Sequence, residues 1–263
     1  MNVGLWLGLM AVGALAGVSA GMFGVGGGVV IVPSLLLFGL VETLAAANGA
    51  SLAALLLPVG VFGVLAYHRE GLVRWWTVAY VSSGLLIGAV GGAWLANALD
   101  RWNPILLQQL YGGFLAVIGW RMAAPLQWMG LREKSPEPPE RTPDERPLPL
   151  IVLGLVAGVS AGLFGIGGGA VIVPILVTFL GFPQKTAVAT SLGALLPPVG
   201  IGAAWVYYQN GNLSLPVVIP LACGLLLGTY FGARLTIGLP AARVKQIYGI
   251  FLLVNALRFI FTG

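Results

Sequence analysis

Charge is scarce in this chain: 8% of its 263 residues are charged, whereas 58% are hydrophobic. The mean hydropathy of +0.96 is far above that of domains whose surface faces water. These figures exclude a soluble enzyme and indicate a membrane protein whose main surroundings are the lipid bilayer. Nine of the 21 charged side chains lie between Arg132 and Arg146, so the apolar stretches contain very few.

Cysteine and histidine are almost absent, with Cys223 and His68 as the single examples. One cysteine excludes an intramolecular disulfide, and one histidine leaves no cluster that would bind zinc or iron. We therefore expect no metal site, no cofactor and no catalytic residue. The net charge of +5 does not indicate nucleic-acid binding, because the basic residues lie at the ends of apolar runs and not on one solvated face.

An internal repeat dominates what is present. Residues 17–33 (GVSAGMFGVGGGVVIVP) and 158–174 (GVSAGLFGIGGGAVIVP) are identical at 14 of 17 positions. A second match pairs SLAALLLPVG at 51–60 with SLGALLPPVG at 191–200. The chain is therefore a tandem duplication.

Between the two copies lies a polar segment, residues 131–149, which holds six prolines and nine charges and is typical of a solvated loop. We accordingly expect three parts: a first transmembrane repeat at 1–125, a linker at 126–147, and a second repeat at 148–263.

Each half contains five apolar segments. They are 3–23, 28–41, 45–67, 74–98 and 104–122, then 149–164, 169–182, 186–208, 213–237 and 244–261. A helix needs about 20 residues to cross a bilayer, so the second segment of each half is short. Each short segment and its predecessor form either a hairpin that reaches part-way or two tilted spans, and the sequence leaves both open.

The distribution of basic residues favours five segments per half. With the N-terminus outside, this arrangement puts 11 of the 13 Lys and Arg residues on the cytoplasmic side, whereas four crossings per half would leave five outside. An odd number inverts the second half relative to the first. The predicted fold is an all-α polytopic membrane protein of two inverted repeats, located in the cytoplasmic membrane with a cytoplasmic linker.

Small residues recur every fourth position before each glycine run, at Gly13, Gly17 and Gly21 and at Gly154, Gly158 and Gly162. On a helix they lie on one face and allow a neighbouring backbone to approach closely. This pattern predicts tight helix packing.

The glycine runs themselves predict an anion site. Three adjacent glycines favour unwinding, and an unwound backbone within a membrane must be sheltered by protein or line a cavity. The helix that follows directs free N–H groups and its positive dipole end toward the break. The candidate substrate-binding residues in these runs are Phe23, Gly24, Gly26, Gly27, Gly28, Phe164, Gly165, Gly167, Gly168 and Gly169. The alternative is that the glycines serve close packing alone.

Four polar residues in the third segments complete the candidate site: Asn48, Ser51, Thr190 and Ser191. Polar groups within a membrane usually face the bundle interior, where they would donate to the same anion. The alternative is that the hydroxyls bond back to their own helix. Acidic residues outside the linker lie only at segment ends, so we expect no buried proton relay.

The repeated FGxGGGxxxVP hairpins, the SLxALLxPVG segments and the variable linker closely resemble the TauE/SafE family of sulfite exporters. The resemblance covers both halves and implies a secondary transporter, not an enzyme, that exports sulfite or an organosulfonate such as sulfoacetate. An anion channel and an importer of a sulfur compound are the alternatives. Asn48 and Gly49 correspond to Val188 and Ala189, so the two half-sites differ chemically. The oligomeric state is left open.

Overall fold

The computed structural model describes residues 3–24, 26–56, 60–123 and 143–238, together with 250, 253, 254, 256 and 257. The first half contains α1 (Val3–Phe23), α2 (Gly28–Leu37), α3 (Leu44–Ala54), α4 (Val61–Arg69), α5 (Trp75–Trp102) and α6 (Pro104–Ala123). The second contains α7 (Pro147–Phe164), α8 (Gly169–Thr178), α9 (Gln184–Ala194), α10 (Ile201–Gln209) and α11 (Leu215–Gly238). These ranges include no β-strand, so the prediction of an all-α polytopic membrane protein is confirmed.

Three of these helices, α1, α5 and α7, are long and apolar enough to cross a bilayer. At 1.5 Å per residue, the 28 residues of α5 extend over about 42 Å, more than the ~30 Å hydrocarbon core. Most of the predicted linker and most of the predicted last segment lie outside the described residues.

The third segment of each half is two helices and not one. Residues 55–60 separate α3 from α4, and residues 195–200 separate α9 from α10. In the second half Pro197 and Pro198 lie in the interruption, where each lacks the N–H that a continuous helix needs. The third segment of the second half therefore has a non-helical centre, and in the first half the described residues 55, 56 and 60 likewise lie outside the helices.

The helices α7 and α8 form a hairpin whose ends lie together. Asp144, just before α7, donates its N–H to the carbonyl oxygen of Leu180, just after α8, over 2.9 Å. The 10 residues of α8 extend over only about 15 Å, half of a hydrocarbon core. The second half therefore forms a hairpin with unequal arms, in which α7 is long enough to cross a bilayer and α8 is not.

Glycine faces join the outer helices of one half to those of the other. Gly13 and Gly17 of α1 lie directly against the backbone of Leu221 and Leu225 in α11, and Gly228 of α11 lies against Ala14. A Cβ at any of these glycines would overlap a backbone carbonyl oxygen. The prediction that the small residues serve tight packing is confirmed.

The same arrangement joins α5 to α7. Gly84 and Gly88 of α5 lie against Ile151 and Leu155, and Gly158 of α7 lies against Leu85. Residue numbers rise together along both helices, so α5 and α7 are parallel, as are α1 and α11. The halves therefore interlock: the first helix of each half pairs with the helix formed by the fourth apolar segment of the other half.

The third segments, by contrast, run in opposite directions. Gly49 lies against Asn212, Gly200 lies against Leu56, and Gly60 lies against Leu192. As the numbers rise along α3 and α4, those of the facing residues fall. Corresponding segments of the two halves are thus antiparallel at the centre of the molecule.

Candidate functional site

Both glycine runs are unwound, and they are unwound in the same way. Gly24, Gly26 and Gly27 have φ values of +67°, +83° and +72°, and Gly165, Gly167 and Gly168 have +66°, +76° and +78°. Side chains other than glycine rarely adopt this left-handed conformation. A new helix begins directly after each run, at Gly28 and at Gly169. We call these two segments the first break and the second break.

The two breaks meet each other backbone to backbone. A Cβ on Gly28 would overlap the carbonyl oxygen of Gly165 and the Cα of Ile166, and a Cβ on Gly167 would lie 3.6 Å from the Cα of Gly26. The sequence predicted two breaks in equivalent positions, and the fold brings them together.

The second break presents unpaired donors. The N–H groups of Val171 and Ile172 both donate to the carbonyl oxygen of Gly168, which closes the first turn of α8. For the N–H groups of Gly167 and Gly168, by contrast, the described part of the chain provides no acceptor. Free N–H groups at a helix N-terminus favour a negative charge.

Serine hydroxyls connect each third segment to the break of the other half. The Ser51 hydroxyl donates to the carbonyl oxygen of Gly165 over 2.6 Å, and the Ser191 hydroxyl donates to that of Gly24 over 3.0 Å. Both serines are fully buried. They do not bond back to their own helices, and in this structure their protons hold the breaks in place. Their role as donors to an anion stays a prediction.

Asn48 and Tyr207 add two bonds at the end of α7. The Asn48 side-chain amide donates to the carbonyl oxygen of Leu163 over 2.8 Å, and the Tyr207 hydroxyl donates to that of Gly162 over 2.7 Å. These are carbonyls that a helix end leaves without intrahelical partners. Val188, which corresponds to Asn48, has no donor to offer the end of α1.

Two buried polar atoms have no hydrogen-bond partner among the described residues of the site: Asn48 Oδ1 and Thr190 Oγ1. Both residues are fully buried. Asn48 packs on Gly165, as Val188 packs on Gly24. Neither Asn48 nor Thr190 lines the internal cavity described next.

A cavity of about 40 Å³ lies where the two breaks meet the third segments. Its walls come from both halves and consist mostly of leucine, alanine and glycine. The described lining residues are Ala20, Gly26, Leu52, Leu55, Gly60, Leu85 and Ala89 from the first half, and Ala161, Gly167, Leu192, Leu195, Val199, Gly200, Leu225 and Thr229 from the second.

The predicted site residues fall into three groups around this cavity. Gly26 and Gly167 line it, whereas the other predicted glycines, the serines, Asn48 and Thr190 surround the breaks without lining it. Phe164 packs against the rings of Phe114 and Tyr111, with centroids 4.9 and 5.6 Å away. The Phe23 side chain lies outside the described residues.

Sequence reasoning missed the leucines and Thr229. The repeat itself could have identified the leucines. In the matched motif SLxALL, Leu52 corresponds to Leu192 and Leu55 corresponds to Leu195, and all four line the cavity.

Charged groups lie away from the cavity. In the described part of the chain no charged side chain lines it, and no three His, Cys, Asp or Glu residues cluster in a way that would hold a metal ion. The ion pairs lie before α7, where Arg146 bonds Asp144 at 2.7 Å and Arg74 lies 3.7 Å from Glu145. The hydrogen bond from Arg146 lowers the pKa of the Asp144 carboxyl. An anion in the cavity would depend on backbone dipoles.

Comparison with known proteins gives one family. The family model described as "Sulfite exporter TauE/SafE" matches residues 9–259. A probable membrane transporter protein of Haemophilus influenzae is 28% identical over 94% of this chain and 95% of its own length. Another from Methanocaldococcus jannaschii is 27% identical over 86% and 85%, and one from Bacillus subtilis is 26% identical over 97% of both chains. No solved structure matches the chain.

Proposed function

The chain belongs to the TauE/SafE family of membrane transporters, and on that premise we propose that it is a secondary transporter that exports a small sulfur-containing anion across the cytoplasmic membrane. The observation that carries the proposal is the meeting of two glycine breaks at a cavity, where the N–H groups of Gly167 and Gly168 have no acceptor among the described residues. Discontinuous helices of this kind bind the substrate in many secondary transporters.

We propose sulfite as the first substrate to test. The description of the matching family names sulfite. The described wall of the cavity has no cationic side chain that would pair with the additional carboxylate of sulfoacetate.

We further propose that the two halves are inverted in the membrane, with the N-terminus outside and the linker cytoplasmic. Support comes from the antiparallel third segments and from the distribution of Lys and Arg. Residues Glu70 and Asn210 test it, because both are exposed and directly follow equivalent helices, α4 and α10.

In the cysteine-free variant C223S, a cysteine introduced at Asn210 should react with a membrane-impermeant maleimide added to intact cells. A cysteine introduced at Glu70 should react only after the cells are opened. Equal labelling of the two positions in intact cells would contradict inversion, since equivalent positions would then lie on one face.

The direction of the driving force agrees with export. A negative cell interior favours outward movement of an anion by about 2.3 kcal/mol per charge per 100 mV. Liposomes that contain the purified protein should therefore release sulfite faster when their interior is electrically negative. Flux that ignores the potential would contradict electrogenic export, single-channel currents would indicate a channel, and inward accumulation against the potential would indicate an importer.

Two matched glycine variants test the site. In Gly167→Leu the side chain would enter the cavity next to Gly26 and Leu55, and it would also have to adopt a φ of +76°. Gly211→Leu has the same conformational strain, at φ +74°, but no neighbouring atom lies within 4 Å of its Cβ position. We expect Gly167→Leu to lose sulfite binding while Gly211→Leu keeps it. Equal affinity in the two folded variants would exclude the breaks as the site.

A further inference from the structure

The cavity wall follows the duplication of the chain with one exception. Leu85 corresponds to Leu225, and both line the cavity, as do Ala20 with Ala161 and the corresponding glycines and leucines of the two halves. Ala89, however, corresponds to Thr229. Thr229 is fully buried and is the one polar side chain among the described residues that line the cavity.

The hydroxyl proton of Thr229 is already engaged. It is donated to the carbonyl oxygen of Leu225, one turn earlier in α11, over 2.7 Å. A hydroxyl has one donor and two acceptor lone pairs, so the Thr229 hydroxyl is left with acceptor lone pairs only, on a side chain that lines the cavity. Such a back-bond is common for threonine in membrane helices and needs no functional explanation by itself. A functional explanation is required because this hydroxyl belongs to a side chain that lines an otherwise apolar cavity.

An acceptor is the wrong partner for a fully deprotonated anion. The second break offers N–H donors to negative oxygens, whereas Thr229 offers lone pairs, which repel them. An oxyanion that keeps one proton satisfies both, because its charged oxygens face the N–H groups and its hydroxyl faces Thr229. Hydrogensulfite is such an ion, and sulfate and methanesulfonate are not.

We propose that Thr229 is a specificity-determining residue whose hydroxyl oxygen accepts a hydrogen bond from the transported anion, so that the site selects a singly protonated oxyanion. This proposal rests on the anion site proposed above. It implies that each exported sulfite leaves with its proton and carries one negative charge across the membrane instead of two.

The expected selectivity follows from the value of one hydrogen bond to a charged partner, which corresponds to about 10-fold to 100-fold in affinity. The measurement is titration calorimetry of purified protein in detergent, at a pH where hydrogensulfite is the main form of sulfite. Methanesulfonate is the matched probe, because it has the same charge and three sulfonyl oxygens but no proton. Wild type should bind hydrogensulfite about 10-fold to 100-fold more tightly.

Thr229→Val keeps the shape of the side chain and removes the hydroxyl. It should bind hydrogensulfite and methanesulfonate equally, with an affinity for methanesulfonate no weaker than that of wild type. Thr229→Ala, which copies the equivalent residue of the first half, provides the same comparison if the valine variant does not fold. The double variant Ala89→Ser with Thr229→Ala moves the hydroxyl to the opposite wall, where it can bond back to Leu85, and should restore the preference for hydrogensulfite.

The outcomes separate the two proposals. A wild-type protein that binds neither anion would overturn the anion site itself. A wild-type protein that prefers hydrogensulfite, together with Thr229 variants that keep the preference, would overturn the role of Thr229 and leave the anion site standing. Failure of the mirrored double variant to regain a preference that the single variants had lost would mean that Thr229 acts only through the local structure of α11, and it would also overturn the proposal.

Discussion

Gly88 offers the sharpest test of how the two halves are held together. It lies in α5 at the contact with α7, where a Cβ would overlap the carbonyl oxygen of Leu155 and lie 3.1 Å from the Cα of Gly158. Backbone atoms cannot rotate away as a side chain can. Gly88→Ala therefore requires α5 and α7 to separate locally. Gly91 lies in the same helix, and nothing lies within 4 Å of its Cβ position.

The magnitude follows from two opposing effects. Overpacking of a tight contact costs about 1–3 kcal/mol, whereas replacement of glycine by alanine within a helix gains up to about 1 kcal/mol. Gly91→Ala has only the gain. We expect the unfolding free energy of the Gly88→Ala variant to be lower than that of the Gly91→Ala variant by roughly 1–3 kcal/mol, because both variants share the gain in helix propensity.

The assay is thermal unfolding of the two purified variants in the same detergent, followed by tryptophan fluorescence. For a domain of about this size 1 kcal/mol corresponds to roughly 2–4 °C in Tm. Gly91→Ala should unfold at or above the wild-type temperature and Gly88→Ala several degrees below it. If both variants unfold at the same temperature, the glycine contact is not a constraint on the α5 and α7 pair.

Two further predictions concern single contacts. Ser191→Ala removes the donor to the first break and should lower the unfolding free energy by about 0.6 kcal/mol, the average for such bonds in membrane helices, and by at most about 1.7 kcal/mol. Ser19→Ala, whose hydroxyl only bonds back to its own helix, should be neutral, and equal effects would contradict a structural role for Ser191. Arg146→Gln should raise the pKa of Asp144, because the guanidinium hydrogen bond lowers it. In wild type the pair is present above the usual Asp range and is lost as pH falls through the lowered pKa. Carbon NMR of a labelled Asp144 carboxyl should show its titration at higher pH in the variant, and an unchanged titration would exclude the pair.

The sequence was sufficient to predict the helical fold, the repeat and the position of both breaks. The breaks could be predicted because glycine adopts left-handed backbone conformations that other residues rarely adopt, and a run such as Gly26, Gly27 and Gly28 therefore favours unwinding. The serines were identified as buried, yet their acceptors lie more than 100 residues away in the other half, and no local pattern indicates such a partner.

The leucines of the cavity could not be identified, for a physical reason. In a soluble protein an apolar residue predicts the buried face, but in a membrane the face toward lipid is equally apolar. Leu85 lines the cavity and Leu86 is 44% exposed, although they are adjacent and identical in type. Only the packing of the helices separates them. The asymmetry between Ala89 and Thr229 was visible in the sequence, but its meaning depends on knowing that both positions face one cavity.

The interlocked packing also determines which parts can move together. The glycine contacts join α1 to α11 and α5 to α7, so the rigid units combine helices from both halves, and a simple motion of one sequence half against the other would break both contacts. We therefore expect the α1 and α11 pair to move against the α5 and α7 pair around the cavity. Leu7, Leu227 and Trp94 lie on α1, α11 and α5 and are 61%, 57% and 67% exposed, which suits them to spin labels. In liposomes, sulfite should leave the distance between labels at Leu7 and Leu227 unchanged and alter the distance between labels at Leu7 and Trp94. A change of equal size in both distances would mean that the glycine contacts open during transport and that the sequence halves, not the mixed pairs, are the moving units.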